Sequence, residues 1–386
     1  MNRQKACDVI ALLDKAFPPS HSFVDGLLCN VLAREPGVRL SLLVSRGEDG
    51  RDKPRRYLHT LCWPRLFERR GIGRFLNVWN TYCAVNKLVR RACGRRTVLF
   101  VRNDPSMLLA CALLRCRVDR LVFQSSFPHE QGPSIKARIA RSMYRLASAR
   151  VDAIMAVSPD GLARMRTLFP RARAAEVVPL LADLPDQTQL KEPAVPDNDD
   201  PIRFVYAGLH SAARKLEVVL EAIVRAIQAG ANATFTFIGG LPAELDGLRR
   251  TEGVPGLLQR GCLRFVEKVP RAEVTRYLQD ADVGLSLIPP DPHFREASPT
   301  KVSEYMTAGL AVLASRGIPL QEQFVEDARG GVLTDWNPES ISAGIRMLCD
   351  DRNALGAMRQ RSWQYARNTL QYASFLPRVK RLIGEP

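Results

Sequence analysis

The sequence predicts an α/β protein of two Rossmann-like domains, each a doubly wound parallel sheet, that face one cleft. Apolar segments of strand length alternate with helical segments from residue 8 to residue 180, a pattern typical of parallel βαβ units. The alternation breaks at residues 191–201 and then resumes. A chain of 386 residues is long enough for two domains with separate hydrophobic cores.

The elements of the first domain, residues 1–190, are predicted from two periodicities. Short runs of aliphatic and β-branched residues predict strands, and apolar residues three and four positions apart predict helices. The predicted strands span residues 8–13, 40–44, 97–101, 120–123, 153–156 and 177–180. The predicted helices span residues 23–34, 65–92, 106–114, 134–149 and 160–168.

A predicted linker, residues 191–201, separates the two domains. Its sequence, KEPAVPDNDDP, is rich in proline and acidic residues and has no hydrophobic periodicity. In the second domain, residues 202–365, the predicted strands span 203–206, 234–238, 263–266, 283–287 and 310–314, and the predicted helices span 216–229, 273–280, 338–349 and 352–370. We expect the tail, residues 366–386, to pack back on the first domain.

Composition excludes several classes of protein. A hydrophobic fraction of 46% and a charged fraction of 25% are ordinary for a soluble globular protein. The nine cysteines form no CxxC pair and no zinc-like cluster, so we expect reduced thiols in a cytoplasmic protein. The first apolar run is interrupted by Asp14, which favours a strand over a signal peptide. No apolar run approaches the roughly 18 residues that a membrane-spanning helix needs.

A basic segment, residues 51–96, carries much of the net charge of +16. It holds 13 lysines and arginines against only Asp52 and Glu68, and aromatic residues are interleaved with them. A second basic segment, residues 136–150, has helical periodicity and no acidic residue. Three interpretations stay open: contact with an anionic membrane, which would put the protein on the inner face of that membrane, a solvated surface, or nucleic-acid binding, which is the least favoured.

The segment FREASPTKVSEYMTAGLAVLAS, residues 294–315, is the most informative stretch of the chain. Glu296 and Glu304 lie eight positions apart on either side of a predicted helix start, with Ser298 as the N-cap and Pro299 at the first helical position. Lys301 then lies in the first turn, where a cation opposes the helix dipole. A bound phosphate would remove that conflict and use the free N–H groups, although a solvated Lys301 explains the same pattern.

A second helix start has the same unfavourable charge. The predicted strand FVYAG ends at Gly208, and Arg214 and Lys215 precede the helix that follows. Ligands of open α/β sheets lie at the carboxyl ends of the strands, so we expect this loop to meet Glu296 and Glu304. Two helix N-termini, several cations and two carboxylates suit a nucleotide diphospho-sugar.

These pieces resemble the retaining glycosyltransferases of the GT-B fold, specifically glycosyltransferase family 4. The resemblance covers residues 202–315 through YAG followed by RK, then FIGG, RFVEKVP, YLQDADVGLSLIP and SPTKVSEYMTAGLAVLAS. The order and spacing of the pieces carry it, because a pair of glutamates eight apart is weak by itself. The first half is similar to the family only in its pattern and in fragments such as VDAIMAVSPDGL.

The resemblance implies a role for each matching position. Glu296 would orient the donor sugar, Glu304 would hold the ribose hydroxyls, and Lys215 would stabilise the departing diphosphate. The donor-binding set would comprise Gly208, Arg214, Lys215, Ser298, Thr300, Lys301 and Glu304, with the amides of residues 298–301 sharing the phosphate and the backbone of residues 265–268 lining the base pocket. It implies retention of anomeric configuration and a hexosyltransferase that needs no metal and no cofactor.

The chain departs from the family at several positions. Many members have an arginine directly after the glycine that corresponds to Gly208, whereas this chain has Leu209, and the glycine-rich loop after the first strand is replaced by PPSHSF. His21 and His129 are candidates for the acceptor side of the cleft, and we take His129 as the catalytic candidate. The alternative of a structural or exposed histidine stays open for both.

The predicted function is transfer of a sugar from a nucleotide diphospho-sugar to a glycan or lipid-linked acceptor, in the biosynthesis of cell-surface polysaccharide or glycolipid. The alternative is a catalytically weak relative that binds a nucleotide or glycan as a partner or scaffold, which Leu209 keeps open. A nucleotide-sugar epimerase is a third and weaker alternative. A dinucleotide-dependent dehydrogenase is disfavoured because no GxGxxG follows the first strand.

Overall fold

The computed structural model describes residues 7–16, 21–45, 58–61, 72–92, 95–182, 192–197 and 199–384. The chain divides into two compact units. The first comprises residues 1–180 together with 372–386, and the second comprises residues 181–371.

The first unit is built around a parallel sheet of seven strands in the order β3-β2-β1-β4-β5-β6-β7. The strands are β1 Cys7–Ala16, β2 Val38–Ser45, β3 Leu58–Leu61, β4 Arg96–Arg102, β5 Arg120–Ser125, β6 Ala153–Ala156 and β7 Ala174–Val177. The helices are α1 Ile72–Arg91, α2 Pro105–Leu113, α3 Ile135–Ser148 and α4 Pro159–Leu168, with a π-helix at Phe23–Val31. The last helix of the chain, α14 Leu376–Ile383, packs on β7 and β6 in this unit.

The second unit is built around a parallel sheet of six strands in the order β10-β9-β8-β11-β12-β13. The strands are β8 Ile202–Ala207, β9 Ala233–Gly240, β10 Leu263–Glu267, β11 Val283–Ser286, β12 Ala311–Ser315 and β13 Gly331–Thr334. The helices are α5 Leu216–Gln228, α6 Pro242–Arg249, α7 Val254–Gln259, α8 Arg271–Gln279, α9 Pro292–Arg295, α10 Thr300–Thr307, α11 Pro319–Ala328, α12 Pro338–Asp350 and α13 Arg352–Asn368.

The central strands of both sheets are largely apolar because helices cover both faces. Every residue of β6, β11 and β12 is buried, as is expected of strands inside parallel sheets. In both sheets the strand order reverses beside the first strand of the unit, between β1 and β4 and between β8 and β11. Crevices at such switch points are where open α/β sheets bind their ligands.

The predicted α/β class and parallel sheets are confirmed, and three details differ. The last strand of the first unit is residues 174–177 rather than 177–180, and the helix predicted at 23–34 is a π-helix that ends in a 3₁₀ turn at Leu32–Arg34. β3, α6, α7, α9, α11, β13 and α14 were not predicted. Part of the basic segment, residues 51–57, 62–71 and 93–94, lies outside the described residues.

The predicted linker has a described part that packs within the second unit. The Arg359 guanidinium donates a hydrogen bond of 2.9 Å to the carbonyl of Ala194. Pro193 lies against Gly309, where a Cβ on the glycine would be 3.3 Å from the proline ring. Residues 181–201 are accordingly part of the second compact unit.

Candidate functional site

The switch point of the second unit is held open by one tyrosine. β8 and β11 pair only at Phe204–Val283 and Val205–Gly284, after which the two strands diverge. The Tyr305 hydroxyl fills the divergence: it accepts from the amide of Ala207 at 3.0 Å and donates to the carbonyl of Leu285 at 3.3 Å. The carboxyl ends of these two strands lie where open α/β sheets bind their ligands.

The loop after β8 passes close to the backbone of β9 and needs glycine to do so. Gly239 has φ of 111°, and a Cβ there would lie 2.6 Å from the Gly208 carbonyl oxygen. The loop is then fastened at two points, since the Tyr206 hydroxyl donates to the Leu209 carbonyl at 2.8 Å and His210 Nδ1 donates to the Gly208 carbonyl at 2.9 Å. His210 is buried, and burial lowers its pKa, so the imidazole is neutral near neutral pH.

Lys301, in the first turn of α10, reaches across this loop. Its ammonium lies 4.0 Å from the centre of the Tyr206 ring. A Cβ built on Gly208 would lie 2.3 Å from Lys301 Nζ and 2.4 Å from Cε, so only glycine leaves room for the lysine. Burial, and secondarily the charge of Arg214, lowers the pKa of Lys301 to about 7, against which Glu304 acts weakly.

Arg214 lies at the end of the 3₁₀ turn Ala212–Arg214, directly before α5. Its guanidinium stacks 4.8 Å from the centre of the Phe294 ring, which joins this loop to α9. The next residue, Lys215, is exposed and left-handed, with φ of 47° and ψ of 47°, and forms the N-cap of α5 without a side-chain cap. The structure thus brings Arg214 to Lys301, while the side chain of Lys215 points into solvent.

Glu304 lies one turn further along α10 and faces Arg271 at the start of α8. Arg271 Nη2 is 4.0 Å from Glu304 Oε1. Burial raises the pKa of Glu304, whereas Arg271 and then Lys301 act to lower it. Carboxyl oxygens held in this way can accept hydrogen bonds from a pair of vicinal hydroxyl groups.

The predicted cap of α10 is wrong by one residue. Ser298 was expected to cap the helix, but Pro299 occupies the N-cap with ψ of 99°, and the helix begins at Thr300 without a side-chain cap. Pro299 is left outside because its ψ is extended rather than helical. Ser298 is buried, and Glu296 is half-buried in the loop between α9 and α10.

The two histidine candidates belong to the first unit. His129 is exposed and lines a cavity of about 370 Å³ together with Asp14, Asp104, Ser106 and Lys136. His21 is half-buried, its Nδ1 accepts from the amide of Phe23 at 3.1 Å, and its Nε2 lies 3.1 Å from Arg102 Nη2. His21 is thus tied into the fold, whereas His129 keeps a surface position beside a cavity.

Sequence reasoning missed four side chains that shape the site. Tyr206 and Tyr305 were taken only as strand and helix residues, His210 and Arg271 were not considered, and all four act through tertiary contacts. One signal was available. A histidine and a tyrosine within two residues of Gly208 are polar groups placed at the carboxyl end of a buried strand.

The architecture and the comparisons with known proteins agree on the fold. The chain aligns over 98% of its length with all of an α,α-trehalose-phosphate synthase (UDP-forming) from Burkholderia xenovorans, at a TM-score of 0.67 and 12% identity. It aligns over 97% with 98% of Anabaena Alr3699/HepE in complex with UDP, at 0.63 and 14%. It also aligns over 97% with all of WaaG, a glycosyltransferase involved in lipopolysaccharide biosynthesis, at 0.65 and 16%. The fold is that of the GT-B glycosyltransferases.

A family model matches the part of the chain that holds the candidate site. Residues 201–351 match the family described as glycosyl transferases group 1. No curated protein sequence matches the chain. The matched segment contains Gly208, Arg214, Lys301 and Glu304, so the family resemblance and the site geometry fall on the same residues.

The described residues lack both a metal-binding cluster and a membrane-spanning helix. No group of three or more histidine, cysteine, aspartate or glutamate side chains in the described ranges is arranged to hold a metal ion. Among the helices that the structure describes, none combines the length and the apolar character needed to span a bilayer.

Proposed function

We propose that the protein is a retaining, metal-independent hexosyltransferase that takes its sugar from a nucleotide diphospho-sugar. The observation that supports this most strongly is that Lys301 lies against Gly208 at the switch point of the second unit, with Arg214 and Glu304 close enough to act on its charge. Two cations beside a glycine loop suit a diphosphate, and a carboxylate one helical turn away suits ribose hydroxyls.

The proposed roles follow from charge and position. Lys301 and Arg214 neutralise the diphosphate and stabilise the negative charge that grows as the bond from its oxygen to the anomeric carbon breaks. Glu304 accepts from the ribose hydroxyls, and Glu296 orients the hydroxyls of the transferred sugar. The acceptor oxygen attacks the anomeric carbon on the face that the diphosphate leaves, which retains the configuration. Lys215 and the first-turn amides of α10, including that of Thr300, add positive potential.

The acceptor side is proposed for the first unit. The cavity that His129 lines holds carboxylates and a lysine, groups that bind sugar hydroxyls and anionic substituents. We propose a glycan or lipid-linked acceptor, as in the assembly of cell-surface polysaccharide or glycolipid. The likeness in fold between this chain and WaaG is consistent with transfer to an acceptor of this kind. The acceptor itself is left to be identified.

A thermal-shift panel of nucleoside diphosphates and their sugars tests donor binding, starting with UDP because Anabaena HepE binds it. A ligand at 100 times its dissociation constant adds about 2.7 kcal/mol of stability. The same panel then identifies the donor for a transfer or donor-hydrolysis assay. If no member of the panel shifts the melting temperature, the proposal is wrong.

Two glutamate variants separate an enzyme from a binding protein. Glu296→Ala is expected to abolish turnover and leave the melting temperature unchanged, whereas Glu252→Ala, an exposed glutamate of the same unit, should leave both unchanged. Full turnover in Glu296→Ala would contradict the role of this residue. Nucleotide-induced stabilisation without turnover in the wild-type protein would favour the alternative, a partner or scaffold that binds a nucleotide or glycan.

We also propose that the first unit contacts anionic lipid through α3. The helix exposes Arg138 and Arg145 together with Ile135 and Leu146, whose exposed fractions are 73% and 67%. No acidic residue lies between residues 131 and 151. Apolar side chains among cations are what an interfacial helix needs to bind an anionic bilayer.

Vesicle sedimentation tests this surface. The protein is expected to sediment with phosphatidylserine-containing vesicles and not with phosphatidylcholine vesicles, and the double variant Arg138→Glu/Arg145→Glu should lose the binding. Arg250→Glu/Arg260→Glu carries the same change of charge on the second unit and should retain it. Equal binding to both kinds of vesicle, or equal loss in both variants, would contradict the proposal.

A further inference from the structure

Lys301 is an unusual cation because it is half-buried without an anionic partner. Among the described residues, its ammonium makes no ion pair within 4.0 Å and no hydrogen bond, and its polar contact is with the face of the Tyr206 ring. The side chain fills the space that Gly208 leaves free. Most buried lysines are paired, so an ammonium fixed in this place is built to receive an anion.

The groups around Lys301 do not supply that anion. On the β8 side, the Tyr206 hydroxyl is kept neutral because burial raises its pKa to about 12. In the loop that follows, His210 is neutral near pH 7 and Arg214 is a second cation. On α10 itself Glu304 is the nearest carboxylate, but it faces Arg271 on α8. The net charge facing Lys301 in the free protein is therefore positive.

A positive, poorly solvated surrounding favours the neutral amine over the ammonium. A diphosphate placed beside Gly208 would reverse that balance, because it brings negative charge to both cations at once. The proton that Lys301 holds weakly in the free protein would be held tightly in the complex. Linkage requires that the ligand then binds more weakly wherever the free protein is short of that proton.

We propose that this site binds a diphosphate together with a proton that is taken up on Lys301. The inference rests on the proposed function, since the anion is the diphosphate of the nucleotide-sugar donor. In the loop after β8 this chain has Leu209 where many members of the resembled family have an arginine. Lys301, on α10, supplies a positive charge beside that loop in place of the arginine. Donor binding is thus coupled to pH by the site that binds the diphosphate.

The expected pH dependence has a definite sign. Because the pKa of Lys301 is about 7 in the free protein, the dissociation constant should be constant below pH 7 and rise about tenfold per unit above it. At pH 8 about nine tenths of the free protein lacks the proton, so binding should take up about 0.9 proton per ligand. At pH 6 the uptake should be close to zero.

Titration calorimetry in two buffers of different ionisation enthalpy measures this uptake directly. The probe is UDP-glucose or, where the thermal-shift panel selects another donor, that nucleotide sugar. A nucleotide sugar is used because both of its phosphates are esterified and neither titrates near neutrality, whereas a free terminal phosphate has a pKa of about 6. Uptake near 0.9 proton at pH 8 supports the proposal, and binding without uptake overturns it. Absence of binding by the whole panel overturns the proposed function as well, which distinguishes the two failures.

Three variants assign the proton to Lys301. Lys301→Arg keeps the charge at all pH values and should bind the donor with no proton uptake and no pH dependence between 6 and 9. Lys301→Met should bind more weakly at pH 6, also without uptake. Lys87→Arg, an exposed lysine on α1, should behave as the wild type. Each variant is first checked for a wild-type melting temperature at pH 6, and uptake that persists in either folded Lys301 variant contradicts the assignment.

Discussion

Gly208→Ala is the sharpest perturbation of the donor site because it introduces one methyl group where Lys301 lies. The new Cβ would be 2.3 Å from Lys301 Nζ and 2.4 Å from Cε, so the lysine must leave its place over the loop. The loss of one charge-assisted hydrogen bond to the ligand costs about 1.5–3 kcal/mol. The dissociation constant for the donor should therefore rise about 10- to 150-fold.

The effect on folding should be separable from the effect on binding. Gly208 has φ of 158°, which side-chain-bearing residues rarely adopt, so alanine is expected to cost about 1–3 kcal/mol in the free energy of unfolding measured with urea. Gly247→Ala in α6 is the control, because nothing lies within 4 Å of its Cβ position. That variant should bind normally and be unchanged or more stable by about 0.5–1 kcal/mol.

A double-mutant cycle decides whether the methyl group acts through Lys301. If it does, Lys301→Met should weaken donor binding strongly in the wild type and only slightly in the Gly208→Ala background. Calorimetry at pH 6 gives both differences. Additive losses would show that Gly208 and Lys301 act independently, which would refute the geometry of the site.

Three further predictions concern stability. Asp282→Ala should lower the free energy of unfolding in urea by about 3–5 kcal/mol, because the buried Arg359 guanidinium loses its carboxylate partner, 2.9 Å away. Arg203→Ala removes a partner of Asp282 whose side chain is 54% exposed, so it should cost no more than about 1 kcal/mol. Equal losses in the two variants would contradict the difference in burial. Tyr305→Phe should cost about 1–3 kcal/mol, since two backbone groups lose their partner at the switch point, and an unchanged midpoint would show that the hydroxyl is dispensable. Folding lowers the pKa of Lys301, so between about pH 7 and 10.5 the unfolded chain binds one more proton than the folded protein. The melting temperature of the wild type should therefore rise relative to that of Lys301→Met as the pH increases from 7 to 9. A fall in this difference would contradict a lowered pKa for Lys301.

Much of the fold could be predicted because central parallel strands are largely apolar on both faces. The strand at residues 153–156 was predicted to the residue. The strand at 174–177 was missed because it is a half-buried edge strand that contains Glu176, paired with Arg381. The more apolar residues just after it are buried as irregular chain instead, with Val178 and Leu181 fully covered. Apolar character predicts burial, and pairing at an edge is decided by the rest of the sheet.

The site could be predicted only as far as local sequence determines it. Glu304 and Lys301 share one face of a short helix by their spacing, which the sequence shows. Two other features depend on how α10 and α8 pack in the sheet domain, which local sequence does not determine. They are the position of Lys301 over Gly208 and the pairing of Arg271 with Glu304. Leu209 suggested a missing cation. In the structure its side chain is 65% exposed, and the positive charge beside Gly208 comes from Lys301 instead.

The central claim is that the crevice between β8 and β11 binds the diphosphate of a nucleotide sugar. A crystal structure of the protein with the nucleotide diphosphate that stabilises it most tests this directly. We predict phosphate oxygens within hydrogen-bond distance of Lys301 Nζ and the Gly208 loop, and ribose hydroxyls on the Glu304 carboxylate. A nucleotide bound elsewhere, or a diphosphate that leaves Lys301 on the Tyr206 ring without contact, would contradict the account.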